Sequence, residues 1–176
     1  RCLPKTGSRK YWPKYLLKQR RNKLKVLMAR GEFGCLMLQC TFSNWGKILG
    51  LVPDSWVFND ESKQYGKETE PHTTVLFGFH KDKTDIPTIK EYIENLKKQI
   101  SYKIVGLSTF DNPKFSVLKF DVESEDLNKL NSYFKKNYDN TNEHPVHHPH
   151  ITIAYILPQF KDKVPVEKFK TPITLK

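Results

Sequence analysis

Two stretches decide the reading: Pro71-His72-Thr73-Thr74-Val75-Leu76-Phe77-Gly78 and Pro149-His150-Ile151-Thr152-Ile153-Ala154-Tyr155-Ile156. Each sets a proline and a His-x-Thr ahead of a run of β-formers, so each predicts a strand that starts at its histidine. Residues i and i+2 of a strand share a face. His72 should therefore stand beside Thr74, and His150 beside Thr152. A single His-x-Thr at a strand start is more often structural. Two copies, each behind a proline, point to chemistry.

Between the two strands, Pro87 to Ile100 reads as a helix with Ile89, Tyr92, Ile93, Leu96 and Ile100 on one face. Strands over 103–110 and 115–122 follow, joined by the turn residues Asp111-Asn112-Pro113-Lys114. Ser124 is placed to cap a helix running to about Tyr138, with Leu127, Leu130 and Phe134 inward. The halves read as a weak duplication, each delivering a His-x-Thr. Upstream, Cys35 to Phe42 suits a buried strand, and Ser43-Asn44 a cap for a short helix from Trp45 to about Leu51. Pro53 to Pro71 reads as a long loop. Val166–Lys168 and Ile173–Leu175 read as short terminal pieces.

The 176 residues suffice for one domain with a real core. The formal charge of +11 is uneven: residues 1–30 hold eleven Lys/Arg and no acid, and the remainder balances nineteen against nineteen. The chain therefore divides into a basic arm, 1–30, and a neutral domain, 31–176. The arm suits an acidic or nucleic-acid partner, or serves as a solubilising extension. Within it, Tyr15 to Met28 is expected as an amphipathic helix carrying Leu16, Leu17, Leu24, Leu27 and Met28. No apolar run approaches the ~20 residues of a membrane span, and no signal-peptide pattern shows in the first thirty residues. Cys35 and Cys40 lie five apart and should point to opposite faces of a strand. With Cys2 they make neither a disulfide framework nor a zinc pattern, which fits a reducing compartment.

Two imidazoles in opposite protonation states can act as general base and general acid near neutral pH. Two hydroxyls can donate to the non-bridging oxygens of a phosphodiester. His72, Thr74, His150 and Thr152 are thus the candidate catalytic residues, with no metal or other cofactor called for. Either histidine fits either role. Tyr65, in the loop before His72, and Phe110, at the hairpin end, are candidate stacking partners for nucleobases. Phe77 and Tyr155, inside the motif strands, are expected to be packing residues. Glu68 and Glu70, close to His72 in sequence, read as exposed loop charge, with orienting an imidazole as the alternative; His144, His147 and His148 read as incidental members of a polar loop, and His80 as structural.

The paired motifs resemble those of the 2H phosphoesterase superfamily, in which two His-x-[Thr/Ser] units lie about eighty residues apart. The longer strings resemble the phage anti-CBASS nuclease family: Gly34 to Leu38, Tyr65 to His80, and His148 to Ile156, within about residues 33 to 160. The resemblance implies an α+β, bilobal fold with antiparallel sheets around a central cleft and flanking helices. It also implies hydrolysis of cyclic di- and trinucleotide messengers, which would counteract bacterial antiviral signalling from the cytoplasm of an infected host. The arm and the start at Arg1 fit a domain carried in a larger phage protein. Two other readings share the motifs: a phosphodiesterase of RNA ends or 2′-5′ linkages, and a catalytically silent nucleotide sponge or virion component.

Overall fold

Alternating apolar and polar residues, backed by β-branched side chains, build a seven-stranded antiparallel sheet among the described residues. A computed structural model describes residues 15–17, 23–28, 33–60, 65–80, 86–96 and 100–174. Cys2, Gly31 and most of the basic residues of 1–30 lie outside these. The strands are β1 (Tyr15–Leu17), β2 (Lys23–Met28), β3 (Phe33–Gln39), β4 (His72–His80), β5 (Tyr102–Asp111), β6 (Ser116–Glu123) and β7 (His150–Ile156), in the order β1-β5-β6-β7-β4-β3-β2. The helices are α1 (Trp45–Gly50), α2 (Ile86–Asn95), α3 (Glu125–Asn137) and α4 (Val166–Thr174). The protein is α+β. No helix among the described residues is long and apolar enough to cross a membrane.

One core joins the sheet to all four helices. Leu36, Leu38, Val75, Leu76, Leu118, Phe120, Ile151 and Ile153 meet Trp45 and Ile48 of α1, Ile89 of α2, Leu127, Leu130 and Phe134 of α3, and Phe169 of α4. Ser124 caps α3 as expected, its Oγ accepting from Leu127 N at 3.1 Å. Cys35 and Cys40 are buried free thiols, and burial pushes them up to about 11 and about 12.

Several expectations are corrected. Tyr15 to Met28 holds two strands, not a helix, because β2 pairs with β3 along its whole length and β1 pairs with β5. Long-range pairing overrides an imperfect helical pattern there, and the sheet extends into residues 1–30. Asn44 precedes α1 without a side-chain capping bond. The described residues of the two pieces expected near the C-terminus, 166–168 and 173–174, fall in one helix, α4, and Leu175 lies outside the described residues.

The centre of the sheet positions everything else. β4 and β7 pair only at Thr73↔Ile151, and on either side they diverge. Beyond Thr152, the edge of β7 is taken by the loop expected over 53–71: Glu68 N donates to Ile153 O at 2.9 Å, Tyr155 N to Gly66 O at 2.8 Å, and Phe58 N to Tyr155 O at 2.9 Å. Beyond Thr74, the edge of β4 is taken by α3 and the loop after it. Asn131 Nδ2 donates to Val75 O at 2.6 Å, His147 Nε2–H to Thr74 O at 3.0 Å, and Thr141 N to Gly78 O at 2.9 Å. Gly78 adopts a φ of 90°, and a Cβ there would meet Thr141 Oγ1 at 2.5 Å. Backbone groups that a continuous β4–β7 ladder would satisfy are therefore satisfied by wedges.

Asn131 is buried among apolar residues and fills one of these wedges. Asn131→Leu keeps the volume but leaves Val75 O unsatisfied, and should cost about 1–3 kcal/mol of stability. Urea denaturation of the two proteins checks this; an unchanged midpoint would mean that the wedge contributes nothing.

Candidate active site

Proline and β-branched neighbours put both His-x-Thr units into extended backbone, and the Thr73↔Ile151 register brings them face to face. Continuing that antiparallel register one residue each way sets His72 opposite Thr152 and Thr74 opposite His150. Thr73 and Ile151 are fully buried on the core side, while His72, Thr74, His150 and Thr152 are all half-buried on the other face. The four side chains form a square with the imidazoles on one diagonal and the hydroxyls on the other. Diagonal neighbours in a sheet stand about 7–8 Å apart, which leaves room for one tetrahedral group between them.

Both imidazoles are held alike. His72 Nδ1–H donates to Glu70 O at 2.8 Å, and His150 Nδ1–H donates to His148 O at 3.0 Å. Each bond reaches the carbonyl two residues back. Each bond takes Nδ1 and leaves Nε2 outside it, as a lone pair when the ring is neutral and as a donor when it is charged.

The electrostatic settings differ. Glu68 Oε2 stands 3.8 Å from His72 Nδ1, so this loop carboxylate faces the His72 ring. Beside His150 lies Lys119 on β6, which the sequence reading passed over. Its side chain is nearly buried, donates to Ser108 Oγ at 2.8 Å and to Asp121 Oδ1, and sits 4.1 Å over the Phe110 ring. Ser108 Oγ donates to Asp121 Oδ1 at 2.9 Å. Gly106 leaves space for that carboxylate, since a Cβ there would come within 2.9 Å of Asp121 Oδ2. Burial holds the His150 imidazole below its ordinary value of 6.5; Lys119 and His147 add to the lowering, against the His148 carbonyl and Asp121.

The structure brings five of the six expected site residues together. Phe110 stands edge-to-face with His150, ring centroids 5.0 Å apart at 89°. Tyr65 is set back, stacked on Tyr155 at 4.4 Å and packed with Phe58 and Phe115. His147 is not incidental: besides its bond to Thr74 O, its Nδ1 lies 3.0 Å from the Asn128 side-chain amide. Burial lowers its affinity for a proton. No group of three or more His, Cys, Asp or Glu side chains among the described residues is arranged to hold a metal ion.

No model of a protein family and no curated protein matches this chain in sequence.

Phe77, expected to pack, is exposed instead, while Tyr155 packs against Tyr65 and Phe115 as expected. Each motif strand carries a register shift just past its threonine. Opposite β3, Thr74 pairs with Met37 but Leu76 with Leu36, so Val75 is extra. Opposite β6, Thr152 pairs with Lys119 but Ala154 with Leu118, so Ile153 is extra. One extra residue reverses the side-chain alternation. Val75 and Leu76 both turn to the core, as do Ile153 and Ala154. Phe77 and Tyr155 come round to the face that carries the histidines.

Imidazole NMR titration checks the electrostatics. The His150 midpoint should lie below 6.5, and Lys119→Met should raise it, because the variant removes a cation and leaves Asp121 unpaired beside the ring. A midpoint that does not move would remove Lys119 from the account.

Proposed function

We propose that the protein is a metal-independent phosphodiesterase that hydrolyses cyclic di- and trinucleotides to linear products. The observation that supports the reaction is the square of His72, Thr74, His150 and Thr152, with both imidazoles held by matching Nδ1–carbonyl bonds that leave Nε2 out of those bonds. The resemblance of the motif strings to the phage anti-CBASS nucleases, and of the motif pair to the bilobal 2H superfamily, supports the choice of substrate and fold family. In that setting the activity would silence a bacterial antiviral signal. The splaying of β4 from β7 fits a two-lobed reading, each lobe contributing one histidine.

The geometry divides the roles. His150, held neutral by burial and by the Lys119 ammonium, is the general base, and its Nε2 takes a proton from the attacking water. Its diagonal partner His72, with Glu68 rather than an ammonium behind it, is the general acid, and its Nε2–H protonates the departing ribose oxygen. In-line displacement needs the entering and leaving oxygens on opposite sides of phosphorus, as the histidine diagonal provides. The Thr74 and Thr152 hydroxyls, on the other diagonal, donate to the two non-bridging oxygens as their charge grows. The proton count closes: one from water to His150, one from His72 to the alcohol, and exchange with solvent restores both rings.

Cyclic di- and trinucleotides incubated with the protein in EDTA should be converted to linear products. His72→Ala and His150→Ala should each lose about 10²–10⁴-fold in kcat. Thr74→Val and Thr152→Val should each lose up to about 10²–10³-fold. Cleavage confined to 2′-5′ or cyclic-phosphate-ended RNA would move the substrate to RNA. Binding without any cleavage would leave a nucleotide sponge.

A further inference from the structure

The two motif strands repeat more than His-x-Thr. Each runs histidine, threonine two residues on, an extra residue, and an aromatic three residues past the threonine: His72, Thr74, Val75, Phe77 and His150, Thr152, Ile153, Tyr155. Without the extra residue, each aromatic would fall among the core side chains. With it, each lies on the catalytic face. Because β4 and β7 are antiparallel, the aromatics extend in opposite directions. Phe77 lies beyond the Thr74/His150 edge of the square, and Tyr155 beyond the Thr152/His72 edge. At 3.2–3.4 Å of rise per residue, less the compression of a bulge, each stands about 7–10 Å past its threonine. A ribose between a phosphate in the square and a base on the ring would span such a gap.

We infer that Phe77 and Tyr155 are the stacking platforms for the two nucleobases flanking the scissile phosphate, so that the site takes a dinucleotide unit with one base at each end. The inference rests on the phosphodiesterase reading and adds a two-base requirement to it.

The platforms are built differently. Tyr155 is backed by Tyr65 at 4.4 Å and by Phe115 at 5.4 Å, so that end is preformed. Phe77 is 54% exposed in a strand whose neighbouring Leu76 is 1% exposed. A large exposed aromatic on the reactive face is an unusual use of a sheet position. The loop that bonds β4 through Thr141 and His147 runs along its flank. A nucleobase is the occupant that fits: it is flat, it is tethered to the phosphate in the square, and stacking tolerates any base identity.

The test reads binding without turnover. The full chain carrying His150→Ala is titrated with cyclic diadenylate and with the same ring lacking one of its two bases, with and without Phe77→Leu. Phe77→Leu should weaken the two-base ring about 5- to 150-fold, the range expected for one stacked base. It should leave the one-base ring, whose adenine occupies the Tyr155 end, within about twofold. Equal Kd values for the two-base ring with and without Phe77→Leu, equal losses for both rings, or no binding of either ring would overturn the inference. Phe77 is exposed, so its replacement by leucine leaves the core alone, and matching urea midpoints verify that. The readings separate cleanly. Phe77-dependent binding in a chain whose unsubstituted form cleaves nothing sinks the phosphodiesterase and keeps the platforms. Cleavage with no Phe77 dependence does the reverse.

Discussion

The pairing of Thr73 with Ile151 is the contact on which the site depends. It is the one register pair between β4 and β7, and it ties the β1-β5-β6-β7 half of the sheet to the β4-β3-β2 half. Both residues are fully buried, so a one-residue slip of either strand would carry its buried residue to the open face and its own histidine and threonine into the core. Register is therefore enforced by burial on the opposite face. The wedges on either side, Asn131 and His147 against β4 and the Gly66–Glu68 segment against β7, keep the contact short.

In the proposed reaction, a short contact between two diverging strands has a chemical use. Each strand brings an imidazole locked at Nδ1 by its own backbone two residues earlier, so the tautomer is set locally and does not depend on the partner strand. The difference between the rings comes from beyond the motifs. An ammonium and carboxylate, Lys119 and Asp121, lie beside His150, and a carboxylate, Glu68, lies behind His72. A nearly buried ion pair contributes little net stability once desolvation is counted. Its place next to His150, with Gly106 left bare to admit Asp121, is better explained by what it does to that ring.

The motif strands were legible because a two-residue period survives locally, and the same holds for α3, whose cap and inward Leu127, Leu130 and Phe134 follow from short-range rules. The run from Tyr15 to Met28 was not, since its apolar residues fit a helix loosely and its strands exist only through partners far along the chain. The register shifts at Val75 and Ile153 left no local mark either. Strict alternation places Phe77 and Tyr155 inward, and only pairing with β3 and β6 shows them turned out. Lys119 was missed for a related reason. A lysine in a strand reads as solvent-facing, and its burial depends on Phe110, Ser108 and Asp121 arriving from the neighbouring strand and from two residues along.

The most direct test of the account is the pH dependence of kcat/KM for a cyclic dinucleotide, measured for the unsubstituted protein and for the residual activity of the two alanine variants. The base must be neutral and the acid protonated, so the profile should be a bell. Its acid limb should lie below 6.5, where His150 takes up its proton, and His150→Ala should abolish that limb. An acid limb that persists in His150→Ala, or full activity in His72→Ala, would contradict the assignment of that histidine and, with it, the claim that the two strands meet to place a base and an acid across one phosphate.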